Sequence, residues 1–222
     1  MDGILIINKP TDWTSFDVVA KIRNKLNVKK VGHTGTLDPM ATGVLVLCLG
    51  KATKLAQQIT GTDKEYIAEI TLGAISDTDD AEGEISDSGF RIPDSKPPKL
   101  EEITRTLKKF TGVINQIPPQ FSAKKIKGQR AYKLARQGKE VELKPVGVTI
   151  HELELLAYKW PVINVRILCS KGTYIRSLAR DIGKELGVGG YLSKLERTKV
   201  GDYTIDQSVS IEEANEKHVI SV

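Results

Sequence analysis

Asp38 is the residue from which chemistry can be read. It lies in Gly32-His33-Thr34-Gly35-Thr36-Leu37-Asp38-Pro39-Met40-Ala41-Thr42-Gly43, a glycine-flanked loop in which the following proline fixes the chain and lets a carboxylate reach a ligand. Such a carboxylate can attack an electrophilic carbon or move a proton. It can also cap the next element or accept from backbone donors in a turn, the commoner use of a loop aspartate. Residue type alone leaves both accounts open. The glycine spacing fits neither a phosphate-cradling P-loop nor a dinucleotide fingerprint. His33, His151 and His218 are far apart, and no CxxC or HExxH spacing occurs, so no metal site is expected.

Apolar periodicity outlines the elements that must hold such a loop. Gly3 to Ile7 reads as a buried strand stopped by Asn8-Lys9-Pro10, and Thr14 with Asp17 three residues on reads as a helix start. Val19, Ile22 and Leu26 follow at helical spacing, with Lys21, Arg23 and Lys25 mostly on other faces. Val31 to Pro39 is loop, Val44 to Leu49 a strand, and a helix is expected from about Lys51 to Ile59. From Lys64 to Leu72 the chain alternates, putting Tyr66, Ala68, Ile70 and Leu72 on one face. There Tyr66 is a core tyrosine or a cleft wall.

Leu100, Ile103, Leu107 and Phe110 mark an amphipathic helix closed by Gly112. Val146–Tyr158 and Val162–Ser170 are strand-like. Thr173–Leu186 is helical around an Ile175, Leu178, Ala179, Ile182, Leu186 stripe, so that Arg176, off the stripe, can point away from the core. The expected fold is mixed α/β (α+β): a mostly antiparallel central sheet flanked by helices, in a single domain spanning residues 1–222.

Of the 222 residues 40% are hydrophobic and 27% charged, enough for a core. No apolar run approaches the roughly 20 residues of a membrane helix. No signal peptide is expected from Met1-Asp2-Gly3-Ile4. Cys48 and Cys169 sit in apolar runs, which argues against a disulfide framework and for the cytoplasm. The net charge of +5 hides an asymmetry: Ser76 to Phe90 holds six acids and no Lys or Arg. The remaining basic body suits a polyanion, most simply nucleic acid, although a soluble protein of high pI has the same charge. Lys124 to Lys144 carries eight basic residues against Glu140 and Glu142. That is the composition of a projecting cationic insert, at about 118–145.

Gly32–Gly43 closely resembles the catalytic motif of the TruB family of pseudouridine synthases. In the same order, Lys9-Pro10, Lys64-Glu65-Tyr66, Ser76–Gly83, Pro118–Ala123, Lys171–Arg176 and Leu195-Glu196-Arg197 resemble further family segments, so the likeness runs from about Gly3 to Tyr203. The resemblance implies a pseudouridine synthase fold and the isomerisation of one uridine, position 55 in the T-loop of tRNA: uracil is detached at N1, rotated and rejoined through C5. It implies Asp38 as the essential carboxylate, attacking C1′ or abstracting a 2′ proton. It makes Tyr66 the residue that stacks on the target base and Arg176 the partner of the aspartate. Tyr174 and Leu195 then lie at the uracil, and His33 beside the flipped nucleotides as a shape element. No cofactor is implied. The insert would grip RNA backbone through Lys124, Lys125, Lys127 and Arg130.

Two departures accompany it. Only about twenty residues follow Gly201, too few for the PUA domain of many relatives, and Asp12 stands where glycine is frequent. The expected enzyme acts as a monomer on the tRNA T-arm, with no membrane and no obligate protein partner. The alternatives are a guide-RNA-dependent, dyskerin-type synthase and a tRNA-folding chaperone not dependent on catalysis. A nucleoside-cleaving hydrolase shares C1′ chemistry, but nothing in the motifs favours it.

Overall fold

The uninterrupted apolar runs become strands buried on both faces. In chain order the elements are β1 (Gly3–Lys9), α1 (Ser15–Lys25), β2 (Val31–His33), β3 (Thr42–Leu49), α2 (Ala56–Thr60), β4 (Lys64–Leu72), β5 (Ala74–Ser76), β6 (Ile85–Asp87), α3 (Leu100–Lys109) and β7 (Gly112–Gln116). They continue with β8 (Lys125–Ile126), β9 (Gln129–Arg130), β10 (Val146–Lys159), β11 (Val162–Cys169), α4 (Ile175–Glu185), β12 (Gly190–Val200) and β13 (Tyr203–Thr204). The structure is a computed structural model describing residues 1–87, 97–122, 124–126, 129–130, 134–135, 137 and 142–222. It divides into two compact units, Met1–Ile67 with Leu195–Val222, and Ala68–Lys194. Strands β4 and β12 contribute residues to both.

In the first unit the strand order is β1-β3-β12-β4, with β2 on β3 and β13 on β12. The β1–β3 and β2–β3 pairs are antiparallel. The β3–β12 pair is parallel, setting Glu196 against Thr42 and Arg197 against Gly43. Alternation sorts β1 and β3 between two cores. Leu5, Ile7, Leu45, Leu47 and Leu49 pack with Val18 and Ile22 of α1, while Ile4, Ile6, Val44, Val46 and Cys48 pack with Ala52 and Ile59. Coverage of both faces is why these strands read as solid apolar runs.

The expected capping box closes α1: Asp17 N–H donates to Thr14 Oγ1 at 3.1 Å and Thr14 N–H to Asp17 Oδ2 at 2.9 Å. The helix expected over Lys51–Ile59 instead begins as a 3-10 turn, Gly50–Leu55, and only Ala56–Thr60 is α-helical. Thr53 Oγ1, donating to the Gly50 carbonyl at 2.8 Å, takes part in that tighter turn.

The second unit has the order β12-β4-β11-β10-β7 and separate β5–β6 and β8–β9 hairpins. Its β7–β10 and β10–β11 pairs are antiparallel. Ile163, Val165 and Ile167 alternate along β11 and are buried, as are Ile103 and Leu107 of α3 and Leu178 and Ile182 of α4. Cys48 and Cys169 are both buried. Among the described residues no helix is long and apolar enough to cross a membrane.

Candidate active site

The loop carrying Asp38 is pinned on every side within the first unit. Lys9, fully buried, donates from Nζ to the carbonyls of Pro10, Trp13 and Pro39 at 2.8, 2.7 and 3.0 Å. Asp12 N–H donates to the same Pro39 carbonyl at 2.9 Å. Ser15 grips Leu37 twice, its hydroxyl accepting from the Leu37 N–H at 2.9 Å and donating to the Leu37 carbonyl at 3.1 Å. From the far end of the chain, buried Arg197 donates to the carbonyls of Val44, Gly35 and Thr36 at 2.8, 3.1 and 3.4 Å. Thr60 Oγ1 takes the Thr34 carbonyl at 2.7 Å. Gly43, at φ 97°, is required here, since a Cβ would meet the Arg197 carbonyl oxygen at 2.3 Å.

Asp38 sits half-buried at the centre of this frame. Fixing the backbone on both sides of one carboxylate lowers the ordering cost of presenting it to a reacting atom. His33 ends β2, half-buried, its ring 5.3 Å from that of Phe16 and edge-on to it. Burial pushes its pKa down, and the Arg197 charge adds to the effect, so its imidazole is neutral near pH 7. Tyr66 and Leu195 are buried, Tyr66 on the predicted face of β4. The first unit therefore holds Asp38, His33, Tyr66 and Leu195.

Tyr174 and Arg176 belong to the second unit, at the start of α4. Buried Gln116 clasps Tyr174 through two bonds, accepting from its N–H at 2.8 Å and donating to its carbonyl at 2.9 Å. Arg176, off the apolar stripe of α4, is buried, ion-paired with Asp80 at 3.2 Å, and donates to the Phe121 carbonyl at 2.9 Å. A cation in the first turn of a helix faces the positive pole, and Asp80 supplies the offsetting charge. Arg180, one turn on, takes Asp79 at 2.8 Å, so the acidic segment relieves the repulsion between the two arginines. Burial raises the Asp79 pKa, with Arg180 opposing it.

Among the insert residues, Lys124 is half-buried and donates to the Lys144 carbonyl at 3.3 Å. Lys125 and Arg130 are described as backbone in the β8–β9 hairpin. Lys127 lies outside the described residues.

Two family models cover most of the chain: the N-terminal domain of the TruB family pseudouridylate synthases matches residues 23–175, and the C-terminal domain of tRNA pseudouridylate synthase B matches 176–220. The chain belongs to the TruB family. It is thus a pseudouridine synthase, an isomerase. The tRNA pseudouridine synthase B of Francisella tularensis subsp. tularensis (strain WY96-3418) is 50% identical over 96% of this chain and 70% of its own length. The protein of the same name from Parabacteroides distasonis is 50% identical over 99% of this chain and 95% of its own.

Among solved structures, a chain of a Cbf5-Nop10-Gar1 complex matches at a TM-score of 0.74 and 30% identity, over 95% of this chain and 53% of that one. A chain of an H/ACA RNP bound to a substrate RNA containing 2′-deoxyuridine matches at 0.71 and 28%, over 95% and 51%. This TruB chain spans about half the length of those two.

Within Leu195-Glu196-Arg197, Arg197 is a functional residue to which the motif alone assigns no role. Its signal was available: Arg197 shares the phase of Leu195 on β12, and both are buried. A cation on an apolar strand face needs acceptors, and the Asp38 loop provides them. Ser15 and Gln116 carried no comparable signal.

Proposed function

We propose that this chain isomerises uridine 55 in the T-loop of tRNA, with Asp38 as the essential carboxylate. The observation that carries the assignment of Asp38 is its loop, whose backbone is held by Lys9, Ser15, Thr60 and Arg197. In the reaction the N1–C1′ bond breaks, the uracil turns, a C5–C1′ bond forms and the C5 proton is released. Asp38 either attacks C1′ or takes the 2′ proton, and both routes use its ionised form. Tyr66, Tyr174, Arg176, Leu195 and His33 receive the target nucleotide, which must first leave the base stack at a cost of a few kcal/mol. Neutral His33 meets it by shape rather than by proton transfer. The enzyme works in the cytoplasm without an obligate protein partner, while the relatives named tRNA pseudouridine synthase B support tRNA as its substrate.

The test is tritium release from unmodified tRNA labelled at C5 of uridine. Wild type releases the label and Asp38→Asn does not, and product mapping then names position 55. A wild type that binds the RNA without releasing label overturns the stand-alone enzyme in favour of a chaperone or a guide-dependent synthase.

A further inference from the structure

Residues 21–30 of the first unit contain Lys21, Arg23, Lys25, Lys29 and Lys30 and no acid. Some cations elsewhere have acids: Lys109 pairs with Glu185, Lys194 with Glu69, Arg166 with Glu152 and Glu154. Lys25 donates to the carbonyls of Ile211 and Glu212. Lys21, Arg23, Lys29 and Lys30 are exposed, and their charged groups have no hydrogen-bond or ion-pair partner among the described residues. Leaving four neighbouring like charges uncompensated is unfavourable for the free protein and favours capture of an anion.

The end of α1 gives these charges a shape. An open groove of about 390 Å3 is lined by Arg23, Asn24, Asn27, Val28 and Lys29. Asn27 turns the chain at φ 50°, so the groove gathers two cations and two amide side chains around one hollow. A helix C-terminus carries a negative pole, but its last carbonyls are occupied. Ile22 O accepts from Leu26 N–H at 2.9 Å, Arg23 O from Val28 N–H at 3.0 Å, and Asn24 O from Asn27 N–H at 3.3 Å. Glu212 lines a separate groove with Lys21, Asn24, Lys25 and Ile211.

We infer that the groove at the end of α1 binds the sugar–phosphate backbone of the substrate RNA, Arg23 and Lys29 each neutralising a phosphate. The inference rests on the proposed RNA substrate and adds a grip separate from the basic insert. Lys29 is four residues before His33, a span of at most about 14 Å. One RNA strand can therefore reach both the groove and His33. Asn24 and Asn27 donate to phosphate or ribose oxygens, contacts that set register and carry no base sequence.

The experiment measures binding of a labelled, unmodified tRNA transcript by fluorescence anisotropy across a potassium chloride series. It uses the full chain carrying Asp38→Asn, so that no turnover intervenes. Adding Arg23→Gln and Lys29→Gln together is expected to weaken binding about tenfold or more near 0.1 M salt and to lower the slope of log K against log salt by about 1 to 2. Lys109→Gln, which removes an acid-paired surface cation, leaves both quantities in place. Circular dichroism melting establishes that each variant folds. An unchanged affinity and slope in the double variant overturn the groove assignment alone, because the Asp38→Asn parent still binds. A loss that Lys109→Gln reproduces overturns it too, since any surface charge would then serve. Absence of salt-dependent binding by the parent overturns the RNA substrate, and the groove with it.

Discussion

Nδ1 of His33 is buried and has no hydrogen-bond partner among the described residues. Protonating that ring would bury a charge beside the Arg197 guanidinium, and the depressed pKa expresses this. The unfolded chain takes up the proton at about pH 6.5, the folded chain only at a lower pH. Stability linked to His33 is therefore full above the unfolded value and is lost as pH falls toward the folded one. Urea midpoints at about pH 7.5 and 5.5 should show wild type losing more stability on acidification than His33→Gln, in which His151 and His218 still titrate. Equal losses would remove His33 as the cause. The sequence displayed Asp38 and its glycine-flanked loop plainly, since glycines and a proline mark a loop by themselves. It did not display the fixing of that loop, because Ser15 and Arg197 act across distances in the chain that periodicity does not encode.

Strand β12 brings Arg197 to the Asp38 loop, and the parallel register Arg197↔Gly43 fixes where the guanidinium arrives. Arg197→Met keeps the apolar stem and removes donors to three carbonyls. The buried Val44 carbonyl left without its donor costs about 1–3 kcal/mol, and the part-buried Gly35 and Thr36 carbonyls less, so equilibrium denaturation should show a loss of about 2–3 kcal/mol. Amides of residues 34–41 should exchange faster than those of α3. Unaltered exchange in the loop would mean that Lys9 and Ser15 hold it without help. Helices α1 and α3 were legible because capping and the apolar stripe agree. The short helix after Gly50 was not, because its apolar spacing suits a 3-10 turn as well as an α-helix. Arg176 was legible only as lying off the apolar stripe: a stripe identifies apolar positions, but a charged side chain off it can be buried when another segment brings its counter-ion.

Two units and two tryptophans give the whole molecule a convenient test: Trp13 lies in the first unit and Trp160 in the second. Since β4 and β12 run through both units, losing the pairing of either strand in one unit releases the same strand at the edge of the other. Trp13→Phe and Trp160→Phe should accordingly leave single reporters that melt at one common midpoint. Separated midpoints would show that the units unfold independently. At this scale the sequence disclosed a basic body with an acidic segment, and the structure gives that segment a use in holding Arg176 and Arg180.

The buried Lys9 has a chemical corollary. Acylating reagents take lysines as free amines, and this ammonium is enclosed by three carbonyls. Lys9 can react only after it leaves Pro39, one residue from Asp38. Its slow modification is therefore a clock for the opening of the catalytic loop, ticking without substrate.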